Sequence, residues 1–291
     1  MNTRLLNTPL PKDDPYGSLS MPVYHTAAYE FESAEAMELA FQGKVNEHTY
    51  SRISNPTVQY FENRIQTMTG ALSVTALNSG MAAITNALIT VAGSGKNIVS
   101  SRHLFGNTYS FLASTLSEFG VETRFTDLTD LSAIEQNIDE NTCAVFLEII
   151  TNPQLEVVDL EAVSKICKAN KVPLIADTTI IPFGYFNPQK FDIDIEVVSS
   201  TKYISGGATS IGGLIVDYGK FDWSVSRKLQ PMFDLFGKGA FTAKLRKEIH
   251  RNMGAYMTPQ VAYMQTLGLE TLGLRYEKVA SNALELAKAL S

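Results

Sequence analysis

Residues 193–202 read IDIEVVSSTK, a run of isoleucines and valines with two acidic residues that ends in two serines, a threonine and a lysine. Residues 193–198 predict a β-strand. If the strand continues, Ser199 and Thr201 point to the same face, since side chains alternate along a strand. Two hydroxyls beside the amine of Lys202 form a grip suited to a phosphate group. A polar strand end with a solvated lysine is the alternative, and this motif by itself does not decide between them.

Strand and helix patterns alternate on both sides of this stretch. Apolar residues recur at helical spacing between Asn55, a good N-cap residue, and Gly70, which suits a C-terminal cap. Such alternation predicts an α/β fold, a mainly parallel sheet with helices on both faces. The predicted strands are 73–77, 97–100, 122–125, 143–149, 173–176, 193–198 and 214–217, and the predicted helices include 56–69, 81–91, 108–119, 131–138, 160–170 and 259–290.

Two further motifs follow predicted strands, where ligands bind in sheets of this kind. Asp177 ends a very apolar strand, and a buried carboxylate needs a partner, such as a protonated pyridine nitrogen. An N-cap or a structural ion pair is the alternative for Asp177. Ser79-Gly80-Met81 lies between a strand and a helix, where free backbone N–H groups bind phosphate well. Any strand-to-helix turn could also use Ser-Gly, so this motif is weak by itself.

Composition argues against several other classes of protein. The net charge is −6 and there is no basic stripe, so no nucleic-acid partner is expected. The segment Gly93-Ser94-Gly95-Lys96 lacks the first glycine of a P-loop and lies between a helix and a strand, so it predicts a turn. Cys143 and Cys167 are expected to be buried thiols, and the four scattered histidines show no metal signature.

The N-terminal residues 1–14 are polar and contain no apolar core, so they do not predict a secretory signal. No stretch approaches the roughly 20 apolar residues of a membrane span. We therefore expect a cytoplasmic protein without a membrane partner. A basic cluster between Lys238 and Arg251 is interrupted by Glu248 and apolar residues, and it predicts a solvated helix face.

Taken together, these motifs resemble the Cys/Met metabolism family of pyridoxal-phosphate enzymes. That family includes cystathionine γ-synthase, O-acetylhomoserine sulfhydrylase, cystathionine lyases and methionine γ-lyase. The resemblance covers nearly the whole chain. It rests on Tyr50-Ser51-Arg52, Asn55-Pro56-Thr57, Asn78-Ser79-Gly80-Met81-Ala82-Ala83, Thr151-Asn152-Pro153, Asp177-Thr178-Thr179, Ser199-Ser200-Thr201-Lys202-Tyr203 and Glu270-Thr271-Leu272-Gly273-Leu274-Arg275.

The resemblance implies the fold and the role of each site residue. The fold would be aspartate-aminotransferase-like, known as fold type I. Lys202 would be the Schiff-base lysine and the catalytic proton shuttle, and Asp177 would pair with the pyridine nitrogen. Phe105 would stack on the ring in place of a tyrosine common in the family, and it lacks that residue's hydroxyl. The other implied cofactor contacts are Asn152 at the ring hydroxyl, Thr179 near the ring, and Ser79, Gly80, Met81, Ser199 and Thr201 at the phosphate.

The resemblance further implies that active sites are shared between subunits. Tyr50 and Arg52 would reach the phosphate of a neighbouring subunit's cofactor, and arginine suits this task because its planar fork binds phosphate bidentately. We therefore expect a homo-oligomer, a homotetramer by the family's pattern, that acts on a small amino-acid substrate.

The reaction expected from the resemblance is γ-replacement on an O-acylhomoserine, which gives homocysteine or cystathionine. This is transsulfuration chemistry of methionine biosynthesis and cysteine metabolism. A γ- or β-lyase acting on a sulfur amino acid is the alternative, although Asn107 stands where methionine γ-lyases carry a cysteine. A second alternative is a remnant that binds pyridoxal phosphate without turnover. A nucleotide-binding protein is a weaker alternative, since no usable glycine fingerprint is present.

Family members continue beyond the point where this sequence ends, so we expect a C-terminally truncated chain. The predicted parts are an N-terminal arm at 1–55, a cofactor-binding large domain at 56–245, and the start of an incomplete small C-terminal domain at 246–291. The arginine that binds the substrate carboxylate in the family would lie in the missing segment. Arg275 matches the family string but not that arginine, so no residue is assigned to this role.

Overall fold

The computed structural model describes residues 8–10 and 14–291, and its centre is a seven-stranded sheet with the order β1-β7-β6-β5-β4-β2-β3. Strands β2 to β6 are parallel, and β7 is antiparallel to both β6 and β1. Six strands therefore run in one direction, and their carboxyl ends meet at one edge, where β7 begins. The strands are β1 (Ser73–Leu77), β2 (Asn97–Ser101), β3 (Glu122–Thr126), β4 (Thr142–Glu148), β5 (Leu174–Asp177), β6 (Ile195–Val198) and β7 (Gly213–Asp217). The predicted mainly parallel sheet is confirmed.

Helices cover both faces of the sheet, as the alternation of buried residues along β4 and β7 requires. Phe146 and Ile215 belong to one apolar core, while Val145 and Val216 belong to cores on the opposite face. The α-helices are α1 (Ala34–Phe41), α2 (Pro56–Thr69), α3 (Gly80–Val91), α4 (Gly106–Ser110), α5 (Leu116–Glu118), α6 (Leu131–Gln136), α7 (Leu160–Asn170), α8 (Gln230–Phe236), α9 (Ala240–Lys244), α10 (Arg251–Met253), α11 (Pro259–Glu270) and α12 (Leu272–Leu290).

The predicted caps of α2 are confirmed. The side chain of Asn55 accepts a hydrogen bond from the backbone N–H of Thr57, and Pro56 occupies the first helical position. Gly70 ends the helix in the left-handed conformation, with φ of 66°. A residue with a Cβ atom would be strained there, which explains the glycine.

Two long predicted helices are interrupted in the structure. The predicted helix 108–119 consists of α4, a π-helical turn at Phe111–Thr115, and α5. The predicted helix 259–290 breaks at Thr271 into α11 and α12. Apolar periodicity shows which face is buried, but a break of one residue hardly disturbs that pattern, so the sequence did not reveal either interruption.

The N-terminal arm contains a helix that the sequence analysis did not predict. Residues 34–41 form α1, which begins after Ser33, whose side chain accepts a hydrogen bond from the N–H of Ala36. This capping is typical of helix starts and was overlooked. The parts of the arm at residues 1–7 and 11–13 lie outside the described residues.

The expectation of a solvated basic face near residues 238–251 is wrong for Arg246. Its Nη2 lies 2.7 Å from Oε2 of Glu62, a buried carboxylate whose Oε1 accepts the N–H of Ala76 at 2.8 Å. A buried carboxylate needs such compensation. Residues after 245 are therefore tied to α2 and β1, and the division predicted at 245/246 falls within a continuous helical run from 240 to 253. The predicted domain boundaries themselves stay a prediction.

In the described part of the chain, no helix is both long enough and apolar enough to cross a membrane.

Candidate active site

The sheet brings most of the predicted site residues to one edge. Asp177, the last residue of β5, is paired with Glu148 of β4 on one side and with Val197 of β6 on the other. Leu77, two residues before Ser79, is paired with Gly213 at the start of β7. The loops that follow β1, β4, β5 and β6 therefore begin within one row of neighbouring strands, which is where open α/β sheets bind ligands.

The turn between β1 and α3 presents the free end of a helix. Ser79 is the N-cap residue, and its Oγ accepts a hydrogen bond from the N–H of Ala82 at 3.0 Å. The N–H groups of Gly80 and Met81 belong to the first turn, so no helical carbonyl is available to them. A Cβ atom on Gly80 would lie 2.6 Å from Cβ of Ser199. Glycine is therefore required for the turn to pack against the residue that follows β6.

The segment 199–202 is a turn rather than the continuation of β6. The strand ends at Val198, so the prediction that Ser199 and Thr201 share one strand face is wrong. The hydroxyl of Thr201 donates to the carbonyl oxygen of Gly212 at 3.1 Å and accepts its N–H at 3.0 Å. These bonds fix the turn against the start of β7, and the side chain of Lys202 is exposed.

The carboxylate of Asp177 lacks a cationic partner among the described residues. It accepts the N–H of Thr179 at 2.8 Å, and burial raises its pKa. The hydroxyl of Thr179 in turn accepts the N–H of Ser199 at 2.8 Å, which joins the loops after β5 and β6. A partly exposed aspartate without a counter-charge at this edge favours a cationic ligand over the structural ion pair that the sequence left open.

Glu148 is a site residue that the sequence reasoning missed. Its side chain is buried, and its two oxygens accept the backbone N–H groups of Phe105 at 2.7 Å and of Asn152 at 2.9 Å. Burial raises the pKa of Glu148 to about 7, and the nearby charge of Asp177 acts in the same direction. The signal was present in the sequence, because Glu148 ends an apolar strand just as Asp177 does.

Glu196 is a second buried carboxyl that was missed, and it lies in the interior of β6. Its carboxylate oxygens accept the hydroxyl groups of Thr178 and Tyr218, the latter at 2.6 Å. Burial raises the pKa of Glu196 to about 7, and Asp177 again contributes. The hydroxyl of Thr178, the residue after Asp177, thus serves Glu196.

Phe105 and Asn152 lie in the loops that follow β2 and β4, and both residues are exposed. The ring of Phe105 is 44% exposed, so an apolar face is available for stacking. The side chain of Asn152 is exposed, and its loop is held through the main chain by Glu148.

Tyr50 and Arg52 are not joined to the β1–α3 turn by any hydrogen bond in the described part of the chain. Nη1 of Arg52 donates to the carbonyl oxygen of Arg251 at 2.6 Å, and its guanidinium lies 5.4 Å from the centre of the Tyr50 ring. Both residues line a hollow with Tyr256, which forms a β-bridge to Leu77. Their predicted contact with a neighbouring subunit's cofactor stays a prediction.

These groups fit pyridoxal phosphate. The uncompensated carboxylate of Asp177 suits a protonated pyridine nitrogen, and the N–H groups at the start of α3 suit a phosphate. The exposed ring of Phe105 suits an aromatic face, and the exposed amine of Lys202 suits an aldehyde. The sheet order and this set of groups are those expected of a pyridoxal-phosphate site on an aspartate-aminotransferase-like fold.

The chain belongs to the Cys/Met metabolism family of PLP-dependent enzymes, whose sequence model matches residues 2–291. The predicted cofactor is thereby confirmed for the family of this chain. A similar curated protein is the homocysteine/cysteine synthase of Saccharomyces cerevisiae, which is 37% identical over an alignment of 294 residues that covers 96% of this chain and 66% of that protein. The chain thus spans slightly less than two thirds of that relative's length.

Solved structures confirm the fold. One is the O-acetylhomoserine sulfhydrylase of Wolinella succinogenes, which is 46% identical with a TM-score of 0.78, over 82% of this chain and 70% of that one. Another is described as an O-acetylhomoserine (thiol)-lyase of Campylobacter jejuni and is 31% identical, with a TM-score of 0.91. The match covers 99% of this chain and 74% of the Campylobacter chain. The latter structure carries the cofactor as N′-pyridoxyl-lysine-5′-monophosphate.

Proposed function

We propose that this protein is a γ-replacement transferase that acts on an O-acylhomoserine and adds sulfide or a thiol to give homocysteine or a related thioether. The observation that carries the proposal is the alignment of Lys202, Asp177 and the β1–α3 turn along one edge of the sheet. Relatives with 37% and 46% identity are named homocysteine/cysteine synthase and O-acetylhomoserine sulfhydrylase.

Each residue would have a separate task. When bound, pyridoxal phosphate supplies a ring that accepts the negative charge left by removal of the substrate's α-proton. The amine of Lys202 would take that proton and return it, and it could move a β-proton in the same way. Asp177 would hold a proton at the ring nitrogen. The N–H groups of Gly80 and Met81 and the hydroxyl of Ser199 would hold the phosphate. The hydroxyl proton of Thr201 is donated to the carbonyl oxygen of Gly212, so Thr201 would instead fix the turn that carries Ser199.

Asn152 would lie at the ring hydroxyl, Thr179 would lie beside the ring, and Phe105 would stack on it. Because Phe105 has no hydroxyl, proton transfer near the ring would depend on Lys202 rather than on a tyrosine.

The two free cysteines are not expected to act as nucleophiles. Cys167 is buried and Cys143 is half-buried, and burial raises the pKa of Cys143 to about 12. We also propose that the protein acts in the cytoplasm.

The proposed activity is tested by incubating purified, cofactor-loaded protein with O-acetylhomoserine and sulfide and measuring homocysteine. Lys202→Ala serves as the control for lysine-dependent turnover. Homocysteine that forms only with the wild-type protein supports the proposal. A 2-oxo acid and free acetate without homocysteine would instead indicate a lyase. Cofactor binding without any turnover would indicate a remnant.

We further propose a homo-oligomer in which Tyr50 and Arg52 complete the phosphate site of a neighbouring subunit. Both residues lie in the N-terminal arm, outside the row of strand ends. Mixing inactive Lys202→Ala and Arg52→Ala chains, with reassembly, would create hybrid sites that have both native residues. Recovery of activity on mixing is expected. If Arg52 serves its own subunit, mixing restores nothing, because every site then lacks one of the two residues.

A further inference from the structure

The loops that carry Phe105 and Asn152 share one buried anchor. Phe105 follows β2 and Asn152 follows β4, and each donates its backbone N–H to a different oxygen of Glu148. Glu148 is only 5% exposed, and it is the last residue of β4. The carboxylate therefore fixes the spacing of two loops that no main-chain ladder joins at this point.

Glu148 lies next to the proposed cofactor-binding residue Asp177 in the sheet. Its partner across the sheet is Asp177, whose charge disfavours a second carboxylate nearby. A buried carboxyl beside another carboxylate is costly unless it makes strong hydrogen bonds. The same two loops are joined a second time at the surface, where Nδ1 of His103 lies 2.6 Å from Oε2 of Glu156. That outer pair is about half exposed, so it contributes little rigidity.

We propose that Glu148 is a positioning residue that sets the width of the slot between Phe105 and Asn152 in which the cofactor ring lies. This inference rests on the proposed function, because it assigns the slot to the ring of pyridoxal phosphate. Glutamate suits the task because an ionised carboxylate is acceptor-only and can satisfy two N–H groups at once. A neutral carboxyl would still satisfy both groups through its two oxygens if its proton points away from them.

Glutamine is the informative substitution at this position. Glu148→Gln keeps the size and one acceptor oxygen, but its NH₂ group would face the second N–H donor. One loop is then released while the other stays bound. Glu148→Asp keeps both acceptors and withdraws them by one methylene, so it tests the same spacing if the glutamine variant folds poorly.

The matched control is Asp194→Asn. Asp194 is another largely buried carboxyl that accepts a main-chain N–H, that of Leu174 at 2.9 Å, but it does so at the start of β5, at the opposite end of the strands. Its carboxylate makes no hydrogen bond to the loops that carry Phe105 and Asn152 among the described residues. Any general effect of removing a buried carboxylate should appear in both variants.

The experiment measures the affinity for pyridoxal phosphate, the visible circular dichroism of the bound cofactor, and the thermal midpoint of each variant. Glu148→Gln should weaken cofactor binding about tenfold, since a charge-assisted hydrogen bond is lost, and it should alter the visible circular dichroism. Asp194→Asn, which keeps an acceptor oxygen for the N–H of Leu174, should leave both cofactor readouts unchanged. Glu148→Asp should change the dichroism in the same way as Glu148→Gln.

An unchanged affinity and an unchanged dichroic band in both Glu148 variants would overturn the proposal, whatever the thermal midpoint. These readouts need no turnover, so they separate this inference from the proposed reaction. A wild-type protein that binds the cofactor but forms no homocysteine contradicts the proposed function and still allows the test of Glu148. In an active protein, Glu148→Gln should lower kcat more than it raises KM.

Discussion

Replacement of Gly80 by alanine tests how closely the phosphate turn is packed. The added methyl group would lie 2.6 Å from Cβ and 2.9 Å from Oγ of Ser199. Carbon atoms attract best at about 3.5–4.0 Å, so the turn and Ser199 must separate by close to one ångström. Since Ser199 directly follows a buried strand, we expect the turn to move rather than the strand. Overpacking of this kind costs about 1–3 kcal/mol.

The expected result is a loss of cofactor affinity together with a loss of stability. An N–H···O bond weakens steeply when its atoms are displaced by an ångström, so the phosphate contacts of Gly80 and Met81 would suffer. We expect the dissociation constant for pyridoxal phosphate to rise at least about tenfold, equivalent to 1.4 kcal/mol. Urea unfolding of the apoprotein would measure the packing cost, and titration with the cofactor would measure the binding loss.

Gly106→Ala is the matched control, because Gly106 is also the first residue of a helix and has no heavy atom within 4 Å of its added Cβ. This control should change stability by no more than about 0.5 kcal/mol. If Gly80→Ala behaves like Gly106→Ala in both assays, the close packing of the phosphate turn against Ser199 does not matter, and the reasoning fails.

Two other substitutions test buried groups around the site. The pKa of Glu196 is raised from its usual 4.5 to about 7, so the folded state holds this proton more tightly than the unfolded state and stability falls as pH rises through that window. Glutamine cannot lose a proton, so Glu196→Gln should reduce the decrease in the free energy of unfolding between pH 4.5 and 7 by about 3 kcal/mol, as measured by urea unfolding. The same pH dependence of the unfolding free energy in the wild-type protein and the variant would contradict this. Gly268→Ala should destabilise the protein by about 1–3 kcal/mol, because the added methyl group would collide with the carbonyl oxygen of Ile204, two residues after Lys202. This loss is expected even though alanine favours helices more than glycine does. A stabilised Gly268→Ala variant with normal cofactor binding would show that α11 does not press on this turn.

The strand ends of the site could be predicted from the sequence because they depend on local patterns. Asp177 follows a short apolar run, and Ser79-Gly80-Met81 stands between a strand and a helix with clear patterns. Parallel α/β sheets bring the ends of such strands to one edge. The residues could therefore be grouped before any distance was known.

The hydrogen-bond networks behind these residues could not be predicted in the same way. Glu148 takes its two donors from loops 43 and 4 residues away in sequence, and Glu196 takes its donors from 18 and 22 residues away. Arg246 meets Glu62 across 184 residues. Pairing at such separations is decided by tertiary packing, which periodicity and propensity do not encode.

The turn after β6 shows why the end of a strand is difficult to predict from the sequence. The hydroxyls of Ser199 and Thr201 would share a strand face only if β6 reached Thr201, yet the strand ends three residues earlier, at Val198. The reason is a non-local contact, since Gly212 holds Thr201 through three hydrogen bonds that involve its main chain. Boundaries of this kind depend on the partner segment rather than on the strand itself.

The role of Lys202 as the cofactor lysine is best measured by the visible absorption spectrum of the purified protein with pyridoxal phosphate, beside Lys202→Ala under the same conditions. We expect a yellow band that persists after removal of free cofactor in the wild-type protein and is absent in the variant. A band of equal strength in Lys202→Ala would contradict the assignment, because another amine would then hold the cofactor. No band in either protein would contradict the proposed site itself.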